Sequence, residues 1–298
     1  MAGQGGCFTL NGFVFLPYFD RQKLEDQVVN TFEFRRHDVV VSGFPKSGNT
    51  WLVEVLKSMY DDWGLARLGC AAEASIIEEH VYFKIRPGIR QVVVDTIKCE
   101  DLPSPRLLRT HLPASMFPLH LIKEQGAKVI HVSRNPKDVC VSTYHFLKSF
   151  AHGALSSGDF DQTVQDFLED RIPYSPWLKY VSDWSEKGVD DNVLHVTYEE
   201  MNENLPAVIQ KIATFLQRPL SDDNVERVVA ATTVDAMRNR LSEMLIIDQE
   251  LIPEGQNPFV RKGTVGDWKN YFTDVQNELF DAKIGKEVKD KNLKIPYQ

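Results

Sequence analysis

VVVSGFPKSGNTWLVEVLKSM, running from Val39 to Met59, is the stretch on which the fold turns. Its first six residues, Val39 to Phe44, are mostly β-branched or apolar and read as a buried strand. After Ser47 the apolar residues Trp51, Leu52, Val55, Leu56 and Met59 recur at three-to-four spacing and predict a helix. The join carries two glycines, Gly43 and Gly48, and lies where a helix start offers unpaired N–H groups and a partial positive charge. That is the place for a phosphate cradle. Against the Walker pattern G-x-x-x-x-G-K-[ST], Gly43, Gly48 and Thr50 fall in register, but Asn49 stands where the lysine belongs and the cation sits inside the loop as Lys46. A lysine so placed suits a ligand shorter than a triphosphate. No strand ends in an aspartate at a Walker B position, so no Mg²⁺ site is indicated.

Outward from this loop, Arg106–Arg109, Lys128–Val132 and Val193–Tyr198 read as further strands, and helical patterns follow the last two. The series predicts an α/β fold with a parallel sheet flanked by helices. Helical spacing also covers Asp161–Asp170, Trp177–Lys187, Leu205–Leu216, Asp223–Ala231 and Asp267–Asp281. Asn11-Gly12, between Phe8 and Leu16, is a strong hairpin signal. From Leu241 to Asn257 the pattern is poor and predicts a mobile segment. No repeat or linker divides the 298 residues, so one domain spanning 1–298 is expected.

A net charge of −8 argues against a nucleic-acid binder, which normally carries a basic face. It leaves room for a small anion, since a few local cations and backbone N–H groups suffice for one. The N-terminus lacks the basic and apolar regions of a secretory signal, no run reaches membrane-spanning length, and the four cysteines have no metal-type spacing. A cytoplasmic protein with free thiols and no membrane association is expected.

PKSGNTW around Lys46, with Arg109-Thr-His111-Leu-Pro, the run Arg134 to Phe146 (RNPKDVCVSTYHF) and the run Arg261 to Asn270 (RKGTVGDWKN), resembles the cytosolic sulfotransferase family in the family's own order. The resemblance implies one α/β domain around a five-stranded parallel sheet, with a P-loop-like phosphate site. It implies phosphoadenosine phosphosulfate (PAPS) as cofactor, adenosine 3′,5′-bisphosphate as product, a small-molecule acceptor and no metal. By the same resemblance Lys46, Ser47, Gly48, Asn49 and Thr50 hold the phosphosulfate side. Arg134 and Ser142, with Arg261, Lys262 and Gly263, hold the 3′-phosphate, and Trp51, Tyr198, Thr232 and Val234 enclose the adenine. The residue types fit: guanidinium grips phosphate in a planar, bidentate way, and glycine admits backbone N–H to an anion. Bland alternatives stand beside them: an ion pair of Arg134 with Asp138 on one helix, a core tryptophan at 51, a helix N-cap at Thr232.

His111 is the candidate general base, since imidazole takes a proton from a hydroxyl near neutral pH. Lys46 is the candidate for stabilising charge on the departing nucleotide. Arg109 stands where the family has lysine, and Val234 where it is commonly aromatic. Phe44, Phe83 and Phe146 fall in segments that line the family's acceptor pocket, with Tyr18, Phe19 and Tyr174 as further contributors. Aromatic walls suit phenols, steroids or aryl amines. The family's dimer motif survives as Lys269, Thr273 and Glu278 but is altered at Asp274, which leaves a homodimer open.

Overall fold

The computed structural model describes residues 7–16, 19, 21–62, 74–75, 104–149, 158–244 and 259–297. Strands β3 (Val39–Ser42), β4 (Ala74–Ser75), β5 (Leu107–Thr110), β6 (Lys128–Ser133) and β7 (Val193–Thr197) form one sheet in the order β4-β5-β3-β6-β7. Every pairing in it is parallel. The continuous valines of β3 have their reason here: Val40 belongs to one apolar core and Val39 and Val41 to another, on opposite faces of the sheet. Onto the Val39/Val41 face pack α2 (Asn49–Asp62), which buries Leu52, Val55, Leu56 and Met59, and α8 (Leu205–Phe215) and α9 (Asp222–Ala231). The other face takes α4 (Pro136–Ser149) and α6 (Trp177–Lys187), as well as the N-terminal hairpin β1 (Phe8–Leu10) and β2 (Phe13–Phe15). Asn11 and Gly12 turn that hairpin at φ 51° and 77°. It is sewn to the body by Val14 N–H to the Ser175 carbonyl at 2.9 Å and Tyr174 N–H to the Val14 carbonyl at 2.7 Å.

Ahead of the sheet a buried ion pair fixes the relation of β3 to β5. The Arg106 guanidinium donates to Asp38 at 2.5 Å, and the Asp38 carboxylate also accepts from Arg35 N–H at 2.7 Å. Both side chains are almost wholly buried. Asp38→Ala strands the guanidinium in the core and is expected to cost ~3–5 kcal/mol in denaturant unfolding, whereas a surface pair such as Arg21 with Glu25 should cost under ~1 kcal/mol.

Two expectations are corrected. Asp267–Asp281 is not one helix: a 3₁₀ turn (Asp267–Asn270) gives way to α11 (Asp274–Phe280), and a π turn (Asp281–Gly285) follows it. The break has a local cause, because Thr273 caps α11 in a reciprocal box with Gln276; ahead of it, Asp138 holds the start of the 3₁₀ turn by accepting the N–H groups of Gly266 and Trp268 at 2.7 and 3.0 Å. The segment read as mobile from Leu241 begins inside α10 (Val234–Met244); its remainder lies outside the described residues. Among the described residues no helix is long and apolar enough to cross a membrane, and no group of acidic, His and Cys side chains is arranged to hold a metal.

Candidate active site

Because the strands run parallel, their carboxyl ends share one rim, and the sequence-predicted residues arrive there from four neighbours. Arg109 and His111 come from the end of β5, the loop from Gly43 to Gly48 follows β3, Arg134 follows β6, and Tyr198 opens α7 (Tyr198–Glu203) directly after β7.

The β3–α2 loop is tightly wound. A Cβ on Gly43 would sit 2.5 Å from the Val132 carbonyl oxygen, and Gly48, at φ 105°, lies so close to the Tyr198 ring that a Cβ would meet it at 2.7 Å. Asn49 occupies the Walker lysine position for a structural reason: its Nδ2 donates to the Phe44 carbonyl at 2.9 Å and staples the loop shut. Lys46 adopts φ 69° and lays its ammonium over the Phe146 ring at 4.4 Å and the Phe259 ring at 5.6 Å. Burial first, then the guanidinium groups of Arg134 and Arg261, lower its pKa to about 7.

Arg134 bridges this loop to a second one. Its guanidinium lies 4.0 Å over the Tyr198 ring, and its Nη1 and Nη2 donate to the carbonyls of Lys46 and Thr264 at 3.3 and 3.4 Å. It precedes α4 rather than riding on it, and Asp138 turns its carboxylate to Gly266 and Trp268, so the helix-face ion pair does not form. Ser142 is half-buried two turns into that helix. In the second loop Gly263 takes φ 74°, and a Cβ there would strike Val234 at 2.3 Å. Arg261 and Lys262 reach Asp267 at 2.6 and 2.9 Å. Burial alone would raise the Asp267 carboxyl, but hydrogen bonds from Lys262, Asn270 and Arg261 outweigh it and hold the pKa at about 2. Two residues that the sequence reading missed fix the loop's backbone: Asn202 donates to the Gly263 carbonyl at 2.7 Å and Arg238 to the Arg261 carbonyl at 2.9 Å. Neither belongs to a motif; both act through backbone carbonyls, which leave no sequence signal.

Between these loops the buried Ser47 Oγ, Arg134 Nε and Arg261 Nη1 have no hydrogen-bond partner. Buried donors of this kind, grouped with Lys46, whose carbonyl Arg134 holds, fit an anionic ligand. Trp51 lies 5.4 Å from the Tyr198 ring and donates Nε1 to the Thr232 carbonyl at 3.1 Å. Thr232 closes α9 at its C-terminal end, with its hydroxyl donating to Val228; the N-cap of α10 is Thr233, which accepts from Ala236 N–H. Val234 packs on Trp51 with Met237 and Val260.

On the β5 side, His111 Nδ1 lies 2.7 Å from the Gly43 carbonyl. A carbonyl only accepts, so Nδ1 carries the proton and Nε2 keeps its lone pair. The imidazole stands edge-on to Tyr174 at 5.4 Å, and Tyr174 in turn meets Phe15 and Phe19 at 6.1 and 5.9 Å. Arg109 is half-buried and pairs in register with Val41, which places it on the face of the sheet that α2 covers. Of the expected acceptor residues, Phe44 is buried against Tyr180 at 5.3 Å and Phe146 faces Lys46. Phe83 and Tyr18 lie outside the described residues.

A family profile described as "Sulfotransferase domain" matches residues 36–292. Human Sulfotransferase 1E1 is 32% identical over 286 residues, covering 94% of this chain and 92% of the relative. Rat Sulfotransferase 1A1 is 38% identical over 261 residues, 86% of each chain. Among solved structures, mouse sulfotransferase SULT7A1 complexed with PAP superimposes with a TM-score of 0.71 at 25% identity, covering 95% of both chains. Retinol dehydratase, solved with androsterone and inactive cofactor PAP, shares the fold with a TM-score of 0.77 at 21% identity, over 97% of this chain and 90% of that one.

Proposed function

Because this chain belongs to the sulfotransferase family, we propose that it transfers a sulfuryl group from PAPS to the hydroxyl or amine of a small aromatic or steroid-like acceptor, with His111 as general base. The chain is a transferase, and the fold is that of its family. The observation that carries the finer reading is the hydrogen bond from His111 Nδ1–H to the Gly43 carbonyl, which points a basic nitrogen away from the loop that holds Lys46. PAP bound to a mouse sulfotransferase of like fold supports the nucleotide.

When bound, the nucleotide supplies an activated sulfuryl group. Around it the helix start from Ser47 to Thr50 offers N–H groups and the partial charge of α2. Arg134, Ser142, Arg261, Lys262 and Gly263 would hold the 3′-phosphate, and Trp51, Tyr198, Thr232 and Val234 would take the adenine. Val234 would offer the base an aliphatic wall in place of a ring, leaving Trp51 as the aromatic surface on that side. His111 Nε2 receives the acceptor's proton. Lys46 places positive charge where negative charge builds, and Arg109 adds a second cation from the β5 end. No metal is required in this scheme. The aromatic cluster of Phe15, Phe19 and Tyr174 beside His111 favours a flat acceptor. The free thiols of Cys7 and Cys140 agree with a cytoplasmic setting. A homodimer through the Lys269–Glu278 segment stays a proposal: Asp274 takes the first position of α11, where the helix dipole favours an acid, beside exposed Val275.

Adenosine 3′,5′-bisphosphate at a hundredfold excess over its Kd should stabilise the protein by ~2.7 kcal/mol in thermal unfolding, with ATP at the same concentration far behind. Arg134→Ala should remove most of the difference. Equal shifts for the two nucleotides would sink the assignment of Arg134, Ser142 and Arg261.

A further inference from the structure

The segment around Tyr297 reaches back to the 261–268 loop through one buried lysine. Lys137 is 1% exposed, an unusual place for an ammonium group. It donates to Asn277 Oδ1 and Asp281 Oδ1, each at 2.6 Å, and it lies between two rings, 4.4 Å from the Trp268 centroid and 4.7 Å from that of Tyr297. Tyr297 closes the group by donating its hydroxyl to the same Asp281 Oδ1 at 2.7 Å. Its ring also lies on Gly285, where a Cβ would meet Tyr297 Cε1 at 2.7 Å, so the π turn from Asp281 to Gly285 is shaped to receive it.

Lys137 directly precedes Asp138, and the two address the same segment: Asp138 holds the N–H groups of Gly266 and Trp268, and Lys137 holds the Trp268 ring. Between those two backbone contacts sits Asp267, to which Arg261 and Lys262 are tied. A continuous series of contacts therefore links Tyr297 to the cations of the clamp. With Tyr297 gone, water would reach the ammonium and weaken its hold on Trp268, because cation–π and charged hydrogen bonds lose strength on solvation.

We propose that Tyr297 is a positioning residue for nucleotide binding, acting through Lys137 and Trp268 to keep the 261–268 loop in its binding geometry. The inference rests on the reading of that loop as the 3′-phosphate clamp. Tyr297→Ala should weaken binding of adenosine 3′,5′-bisphosphate on the order of tenfold by calorimetry, the scale of one desolvated cation–π contact. It should also speed amide exchange at Gly266 and Trp268 in nucleotide-free protein and raise KM for PAPS, with kcat and the acceptor KM unchanged. Tyr297→Phe keeps the ring over Lys137 and should stay within about threefold of the parent in affinity. A Tyr297→Ala protein with a lower Tm but parental nucleotide affinity and parental exchange at Gly266 and Trp268 would overturn the proposal, as would a Tyr297→Phe protein as impaired as the alanine variant. Failure of the unmutated protein to bind the bisphosphate would fall on the clamp reading instead, since the exchange measurement needs no nucleotide.

Discussion

Replacing His111 with alanine should lower kcat by ~10²–10⁴, the usual contribution of a positioned general base, while nucleotide affinity stays within a few-fold. On the proposed reading the two effects separate because the imidazole would act on the acceptor's proton, while its bond to the Gly43 carbonyl ties it to the β3–α2 loop and not to the nucleotide. Loss of that one bond gives alanine a structural component. His111→Asn controls for it: an amide nitrogen takes over the Nδ1 donor role, yet the side chain has no basic nitrogen. Both variants should lose rate alike with a phenol or alcohol that is not already ionised. Turnover retained by His111→Asn would show that the basic Nε2 is not required.

Lys46→Met is expected to cost ~10²–10³ in kcat, the scale at which one preorganised electrostatic donor is lost. Methionine matches the length of the chain but brings no charge. The titration of Lys46 adds a second signature. Its pKa is lowered to about 7, chiefly by burial and then by Arg134 and Arg261, so in nucleotide-free protein the charged form prevails below that pH and is lost above it. Only the ammonium form attracts an anionic nucleotide, so kcat/KM for PAPS should fall as pH rises through about 7. Lys46→Arg should move this fall to higher pH, and Lys46→Met should erase it. A Lys46→Met enzyme with kcat within a few-fold of the parent would remove Lys46 from the chemistry.

The strand-to-helix loop and the hairpin were legible because each is a local event: Gly43 and Gly48 are forced by close approach or positive φ, and Asn11-Gly12 by the turn itself. Valine-rich β3 announced a strand buried on both faces, and the two cores on either side of it explain why. The helix expected over Asp267–Asp281 is divided because Thr273 and Gln276 form a capping box inside it, a short polar signal that apolar periodicity does not register. The two-residue strand β4 is too short to carry any periodic signal. Thr232 looked like a helix start, whereas a helix end looks much the same in sequence; its carbonyl, not its side chain, holds Trp51. Asn202, Arg238 and Lys137, which touch the 261–268 segment, and Tyr297, which touches Lys137, lie in four separate parts of the chain, and only folding brings them together.

The central claim is that this chain moves a sulfuryl group from PAPS onto a small acceptor without a metal. The most direct test incubates the purified protein with ³⁵S-labelled PAPS and a panel of phenols, steroids, alcohols and amines in the presence of a metal chelator, and follows the label. Transfer of ³⁵S to at least one acceptor, with release of adenosine 3′,5′-bisphosphate in equal amount, is the predicted result. No labelled product from any acceptor, by protein that binds the bisphosphate, would contradict it and leave a nucleotide-binding protein without turnover.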